Sequence, residues 1–281
     1  MNDGMVEFGA LVFVFVAGLL TAIATGVGAL PFFFFDEIGD RWNVVLWGLA
    51  SGIMVSASVF GLVLEGLAEG SLYELIQLGP VPFPSGVVPG IAAGVVLVVV
   101  AHGVIEDYEV SPRHYEAADF KKLVLILGIL TVHSFPEGVA VGVSFAELGF
   151  EGGIPILGFT VPLLAVFMTV AISIHNVPEG VAISIPLRAM DVPEWRMVWW
   201  AVFSSLPQPI GAVIAFYFVR IAREFLPFGF GFAAGAMVFL VATEFIPEAL
   251  ALGKGLPGGG RPELVAGLVL GFAVMVPLAF V

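Results

Sequence analysis

Two stretches of this chain set a histidine and a glutamate four residues apart inside apolar runs. The first is His133-Ser134-Phe135-Pro136-Glu137-Gly138-Val139-Ala140 and the second is His175-Asn176-Val177-Pro178-Glu179-Gly180-Val181-Ala182. Residues i and i+4 of a helix share a face, so each copy presents an imidazole and a carboxylate together. Ionisable groups are expensive within hydrophobic spans, where they mark ion or proton pathways. Brought face to face, the two copies offer two imidazoles and two carboxylates, a donor set suited to borderline divalent cations such as zinc. A lone buried histidine is ordinarily a packing group, and a lone membrane glutamate a protonated structural one. Repetition of both at one spacing is what argues for a site. Cysteine is absent, which excludes disulfides and thiolate ligands.

The elements that must position these residues follow from composition. Of the 281 residues, 59% are hydrophobic and 12% charged, far too apolar for the surface of a soluble domain. The fold class is an all-α polytopic membrane protein in a single transmembrane domain, 1–281. A bilayer core takes roughly 20 apolar residues per helix. The apolar runs give eight helices, numbered here 1 to 8, at about 7–30, 42–65, 86–106, 121–146, 155–187, 195–222, 227–251 and 262–281. The first lacks a basic leader and runs too long for a signal peptide, so it is expected to be retained. Orientation follows from the basic residues. With the N-terminus outside, eight of the ten fall on the cytosolic side: Arg41, Arg113, Lys121, Lys122, Arg188, Arg196, Lys254 and Arg261. Only Arg220 and Arg223 lie outside. Both termini are therefore expected outside an inner (plasma) membrane, with 107–120 as a cytosolic acidic loop. Helices 4 and 5 then run antiparallel as an inverted pair carrying the site, a recurrent transporter plan.

The formal net charge is −13. No basic patch exists, so nucleic acid is excluded as a partner. The acids crowd the loops, as at Asp36-Glu37 and Glu106-Asp107-Tyr108-Glu109. Two readings stay open: cation attraction at pore mouths, and adaptation of exposed surfaces to high salt, as in a halophilic prokaryote.

At about 1.5 Å of rise per residue, His133 lies about 18 Å along helix 4 from Lys121, near the midplane. Gln208 lies similarly deep in helix 6. Pro136, Pro178, Pro207 and Pro209 deprive the carbonyls of Val132, Ile174, Phe203 and Ser205 of helical partners, and in lipid a neighbouring helix, water or a cation must serve them. Gly138 and Gly180 permit close approach beside the site. Glu244 and Glu248 share a face of helix 7, either as an exit relay or as acids reaching the headgroups. Glu65 stands at the outer end of helix 2, as a cation attractor or simply as a helix end. His102 and His114 flank the acidic loop, too few for a metal-sensing loop to be argued. The glycines at 258–260 form a loop with no phosphate-cradle signature.

At the two motif copies the chain resembles the ZIP (Zrt/Irt-like) family of metal-ion transporters, most nearly its GufA-like branch. Supporting stretches are Leu19 to Pro31, Ser204-Ser205-Leu206-Pro207-Gln208-Pro209-Ile210-Gly211-Ala212 and Phe232 to Ala249. The resemblance implies transport of a divalent metal ion, usually zinc, into the cytosol, with the metal as substrate and no cofactor. It implies one metal held by His133, Glu137, His175 and Glu179, and a second by Ser134, Asn176 and Gln208 with Glu137 and Glu179 bridging. It further implies a moving bundle of helices 1, 4, 5 and 6 against a scaffold of helices 2, 3, 7 and 8, and a homodimer. Two departures weaken the second subsite: His133-Ser134 stands where the family usually has His-Asn, and Gln208 where it usually has Glu.

Set beside the reading as a secondary carrier of Zn2+, with Fe2+, Mn2+ or Cd2+ as further candidates, are two others. A metal-dependent intramembrane hydrolase would use a metal-activated water, but the chain lacks His-Glu-x-x-His and any Ser/Lys or paired-Asp protease signature. A proton-coupled carrier of an organic substrate lacks an arginine in the inner bundle to hold a carboxylate. The chain is expected not to be an enzyme.

Overall fold

In the computed structural model of the chain, the described residues are 3–35, 37–69, 86–106, 131, 133–150 and 152–275. The loop expected at 107–120, His114, the start of helix 4 from 121 and the last residues of helix 8 lie outside them. Helix 1 is Asp3–Val27, followed by a 3-10 turn at Leu30–Phe33. Helix 2 runs Asp40–Ser56, passes through a π-helical segment at Ala57–Val63 and ends as Leu64–Glu69. Helix 3 is Val87–Glu106, helix 4 covers 133–144, and helix 5 is Leu163–Ala189. Helix 6 comes in two pieces, Glu194–Ser204 and Pro207–Ile221. Helix 7 is Leu226–Leu240, continued by a π-helical segment at Val241–Phe245 and by Ile246–Leu252. Helix 8 is Arg261–Met275.

Among the described residues, six stretches are long and apolar enough to cross a bilayer: Phe8–Phe33, Asp40–Ala68, Val87–Val104, Leu163–Arg188, Glu194–Ile221 and Arg223–Gly255. The chain is thus an integral membrane protein made almost wholly of helices. Helices 4 and 8 are described over shorter stretches.

Two local expectations are corrected. Helix 5 was expected from 155, but Ile154–Ile156 pairs antiparallel with Phe159–Val161, and the helix begins only after Pro162. The hairpin turn is Leu157-Gly158, both with positive φ (48° and 86°), the geometry that two-residue hairpins favour. A short apolar run does not distinguish a strand from a helix, and here β-branched residues and Gly158 decide for the strand. In helix 6, the carbonyls expected to be orphaned by Pro207 and Pro209 are not orphaned. The chain tightens, so that Leu206 N–H donates to Phe203 O at 3.2 Å and Gln208 N–H to Ser205 O at 3.0 Å. Such tightened i+3 bonding is a regular way to finish a helix.

Packing is set by glycines at four-residue spacing. Gly48 and Gly52 of helix 2 lie on Gly267 and Gly271 of helix 8. A Cβ at any of them would strike a backbone carbonyl of the other helix: Leu264, Leu268, Val45 or Leu49. Gly90 and Gly94 of helix 3 meet Gly231 and Gly235 of helix 7 in the same way, against the carbonyls of Phe228, Phe232, Val87 and Ile91. Without a hydrophobic force between helices in lipid, such close backbone contact is what holds them. The remaining helices also meet backbone to backbone, at Gly138 and Gly142 (helix 4 on helix 6), Gly180 (helix 5 on helix 1) and Gly18 (helix 1 on helix 6).

Ion pairs fasten the ends. Arg41 Nε donates to the nearly buried Glu263 at 2.9 Å, tying helix 2 to helix 8. Arg188 pairs with Glu194 at 2.9 Å across the helix 5–6 turn. Arg223 pairs with Glu147, Arg220 donates to Leu148 O at 3.0 Å, and both guanidinium groups sit over the Phe150 ring.

These seams give a direct stability test. Gly52→Ala drives a methyl into the Leu268 carbonyl, whereas a Cβ at Gly103 of helix 3 meets nothing within 4 Å among the described residues. Thermal unfolding in detergent is expected to show a loss of about 1–3 kcal/mol for Gly52→Ala. Gly103→Ala is expected to be neutral or to gain up to about 1 kcal/mol from helix propensity. Equal midpoints for the two variants would overturn the backbone-contact account.

Candidate metal centre

His133 and Glu137 stand one turn apart on helix 4, and His175 and Glu179 one turn apart on helix 5. All four are buried. Ligand atoms of Glu137, His175 and Glu179 lie within 4.8 Å of one another. His133 stands beside this trio: its ring approaches Phe245 at 6.0 Å and His102 at 5.9 Å between centroids. The structure thus brings three of the four expected ligands into one cluster and leaves the fourth beside it, against His102 and Phe245.

The lone pairs in this cluster oppose one another. His175 Nδ1 lies 3.2 Å from the Ala50 carbonyl of helix 2. A carbonyl only accepts, so Nδ1 carries a proton, and in the neutral ring Nε2 presents a lone pair. That lone pair faces Glu137 Oε1 at 3.4 Å. Among the described residues, Glu137 Oε1, both oxygens of Glu179, His175 Nε2 and both ring nitrogens of His133 have no hydrogen-bond partner. An unsatisfied buried polar atom costs about 1–3 kcal/mol. A cation is the one kind of group that satisfies several acceptors at once. The orienting hydrogen bond on the far side of a ligating imidazole is likewise a regular feature of metal sites.

Glu137 divides its two oxygens. Oε1 faces the cluster, while Oε2 accepts from Gln208 Nε2. Gln208 Oε1 accepts from Asn176 Nδ2 at 3.0 Å and from the Thr21 hydroxyl at 2.6 Å. The single Thr21 hydroxyl proton is shared with Gly18 O at 2.7 Å. Asn176 Nδ2 also donates to the backbone carbonyl of Thr21 at 2.7 Å. Gln208 sits in the first turn of the second piece of helix 6, immediately after the break. Asn176 and Gln208, expected as ligands of a second ion, are therefore engaged with each other, with Thr21 and with Glu137. Ser134 is fully buried next to His133.

Aromatic rings close the cluster on the helix 2 and helix 7 side. Phe245 stacks on His175 (5.5 Å, 9° between planes) and meets Trp47 edge-on at 4.8 Å. It ends the π-helical segment of helix 7, a distortion frequent at functional sites. On the same segment, half-buried Glu244 pairs with His102 Nε2 at 3.1 Å. Glu248 faces outward, and Glu65 is half-buried on helix 2, away from the cluster. Sequence reasoning passed over Thr21, Phe245 and the Ala50 carbonyl. A signal existed for the first: Thr21 and Thr25 share one face of an apolar helix, and Thr25 pairs with Ser205 at 2.7 Å.

Comparison with known proteins places the chain in a family. The family described as ZIP zinc transporter matches residues 101–279. The zinc transporter GufA of Myxococcus xanthus is 30% identical over 94% of this chain and 96% of its own length. The zinc transporter ZIPB of Bordetella bronchiseptica is 34% identical over 90% of this chain and 75% of its own. A candidate zinc transporter of Arabidopsis thaliana is 41% identical over 82% of this chain, which spans only 33% of that longer protein.

The orphaned acceptors generate a measurable expectation. Zn2+ at a hundredfold above its dissociation constant is expected to stabilise the purified protein by about 2.7 kcal/mol, read as a rise in the unfolding midpoint. Glu179→Ala, which removes two of the unpaired oxygens, is expected to abolish most of that rise. A full zinc-induced shift in the variant would show that the ion binds elsewhere.

Proposed function

This chain belongs to the ZIP family, and we propose from that premise that it is a secondary transporter carrying divalent metal ions, Zn2+ foremost, across the plasma membrane toward the cytosol. Fe2+, Mn2+ and Cd2+ are the further candidate substrates. The family is one of transporters rather than enzymes, and the metal is cargo rather than cofactor. The observation that carries the reading is the set of buried, mutually opposed acceptors at Glu137, His175 and Glu179, with His133 beside them. In this reading the site lies near the midplane between helices 4, 5 and 6. Eight helices cross the membrane with both termini outside, and helices 4 and 5 form an inverted pair.

A route to one side of the site is supported by His102 and Glu244. His102 of that pair stands against the His133 ring, which lies beside the trio. His133 then passes the ion between the cluster and that pair. Glu248, facing outward on the next turn of helix 7, lies at the far end of the route.

Movement of helices 1, 4, 5 and 6 against helices 2, 3, 7 and 8 is supported by a contrast in packing. Within each set, glycines bring backbones into contact. Between the sets, Gly61 faces the Phe167 and Met168 side chains, and Gly229 faces Val143. Side chains change rotamer and slide where interlocked backbones do not.

Uptake into liposomes by the purified protein, with a panel of divalent ions, tests the reading. Zn2+ is expected to enter, and His133→Ala and Glu179→Ala are each expected to lower the rate at least a hundredfold while the protein still inserts. Wild-type rates in both variants, or no divalent flux from the parent protein, would refute it. Orientation is tested separately, because the chain has no native cysteine. Leu157→Cys at the exposed hairpin tip is expected to react with an impermeant maleimide on intact cells, and Lys254→Cys only after lysis. The reverse pattern would invert the topology.

A further inference from the structure

The hydrogen bonds behind Glu137 have a direction. The chain of contacts begins at the Thr21 carbonyl, which only accepts, so the Asn176 atom 2.7 Å away is the amide nitrogen. The same nitrogen faces Gln208 at 3.0 Å, so the Gln208 atom there is the carbonyl oxygen. Gln208 must then present its NH2 to Glu137 Oε2. Flipping either amide would set donor on donor or acceptor on acceptor at two places. Each of these side chains is fully buried, where such a mismatch is most costly.

We infer that Thr21, Asn176 and Gln208 form a charge-neutral positioning chain that commits one oxygen of Glu137 to an amide and the other to the cation, so that the site holds a single divalent ion. The inference rests on the transport-site reading and deepens it. Gln208 Nε2 stands against Glu137 Oε2 where a second cation would otherwise sit. Its carbonyl oxygen already accepts from two donors, Thr21 and Asn176, which uses both lone pairs. Asn176 Oδ1 is the one acceptor of the chain without a partner among the described residues, and as a neutral oxygen it adds no charge to hold a second divalent ion beside the first. Charge agrees: with neutral imidazoles, Glu137 and Glu179 supply two negative charges, which balance one divalent ion and not two.

Gln208→Glu changes this arithmetic without changing shape. One carboxylate oxygen keeps the Thr21 and Asn176 donors, and the other is set against Glu137 Oε2, a contact between acceptors that needs a cation between them. Asn176→Leu breaks the chain at its middle and leaves Gln208 free to turn. Zinc bound per chain at saturation is measured on the purified, detergent-solubilised protein by elemental analysis and by calorimetry. One ion is expected for the parent protein and two for Gln208→Glu. For Asn176→Leu, one ion is expected with affinity at least tenfold weaker, since Glu137 is no longer held. Two ions in the parent protein, or one in a folded Gln208→Glu, would overturn the inference and leave the transport reading standing. No bound ion in the parent protein, together with no uptake, would overturn the transport reading and this inference with it. Unchanged affinity in Asn176→Leu would overturn the positioning role even if Gln208→Glu failed to fold.

Discussion

The constraint on which this molecule depends is that two carboxylates and an imidazole lone pair converge in an apolar interior with nothing of opposite sign among the described residues. Two like charges about 5 Å apart repel by roughly 3 kcal/mol even at an effective dielectric of 20, and each unpaired acceptor adds its own desolvation cost. A divalent ion reverses the sign of every one of these terms. The ion is therefore a structural component of the state that holds it. Any arrangement of helices 4 and 5 that keeps Glu137 and Glu179 together is one that a cation stabilises.

Close approach is the other half of that constraint. Glycines seat the two site helices on their neighbours, Gly138 and Gly142 bringing helix 4 onto helix 6 and Gly180 bringing helix 5 onto helix 1. The same residue type serves an opposite purpose in helices 2, 3, 7 and 8, whose paired glycines interlock without any ligand between them. Ala50 lies on helix 2, between Gly48 and Gly52, and offers its carbonyl to His175. A carbonyl of helix 2 thereby fixes Nδ1 as a protonated nitrogen of His175.

The chemistry of the site was legible in the sequence because helical periodicity is local. Four residues of spacing guarantee one face, so His133 with Glu137 and His175 with Glu179 follow from the chain alone. The glycine seams were equally legible as Gly-x-x-x-Gly in helices 2, 3, 7 and 8, though the motif copies drew the reading elsewhere. What the sequence does not carry is the partner of each group across space. Thr21 and Gln208 are separated by 187 positions, and no periodicity links them. The proline argument failed at helix 6 for a related reason. It counted lost i−4 bonds correctly but did not foresee that the backbone would tighten and use the freed carbonyls itself. At 154–161 the apolar pattern fitted both helix and strand, and only the turn residues decided.

The two arginines that stood apart in the charge count make the last point. In the expected topology Arg220 and Arg223 are the two basic residues on the outer side, and both are engaged. They grip the Glu147–Leu148 turn and sandwich Phe150, fastening the end of helix 6 to the link between helices 4 and 5. Glu147 thus meets its counter-charge locally, and the far ends of helices 4 and 6 are held together. Nearer the site, the same two helices are joined by Gln208 and Glu137, where the amide brings no charge of its own. A cation such as arginine at that depth would satisfy Glu137 and extinguish the site. An amide satisfies one oxygen and leaves the carboxylate's charge for the ion. The polar links between helices 4 and 6 are therefore charge-compensated at the Glu147 turn and uncompensated at Glu137, which on the transport reading leaves the buried carboxylates available to a divalent cation.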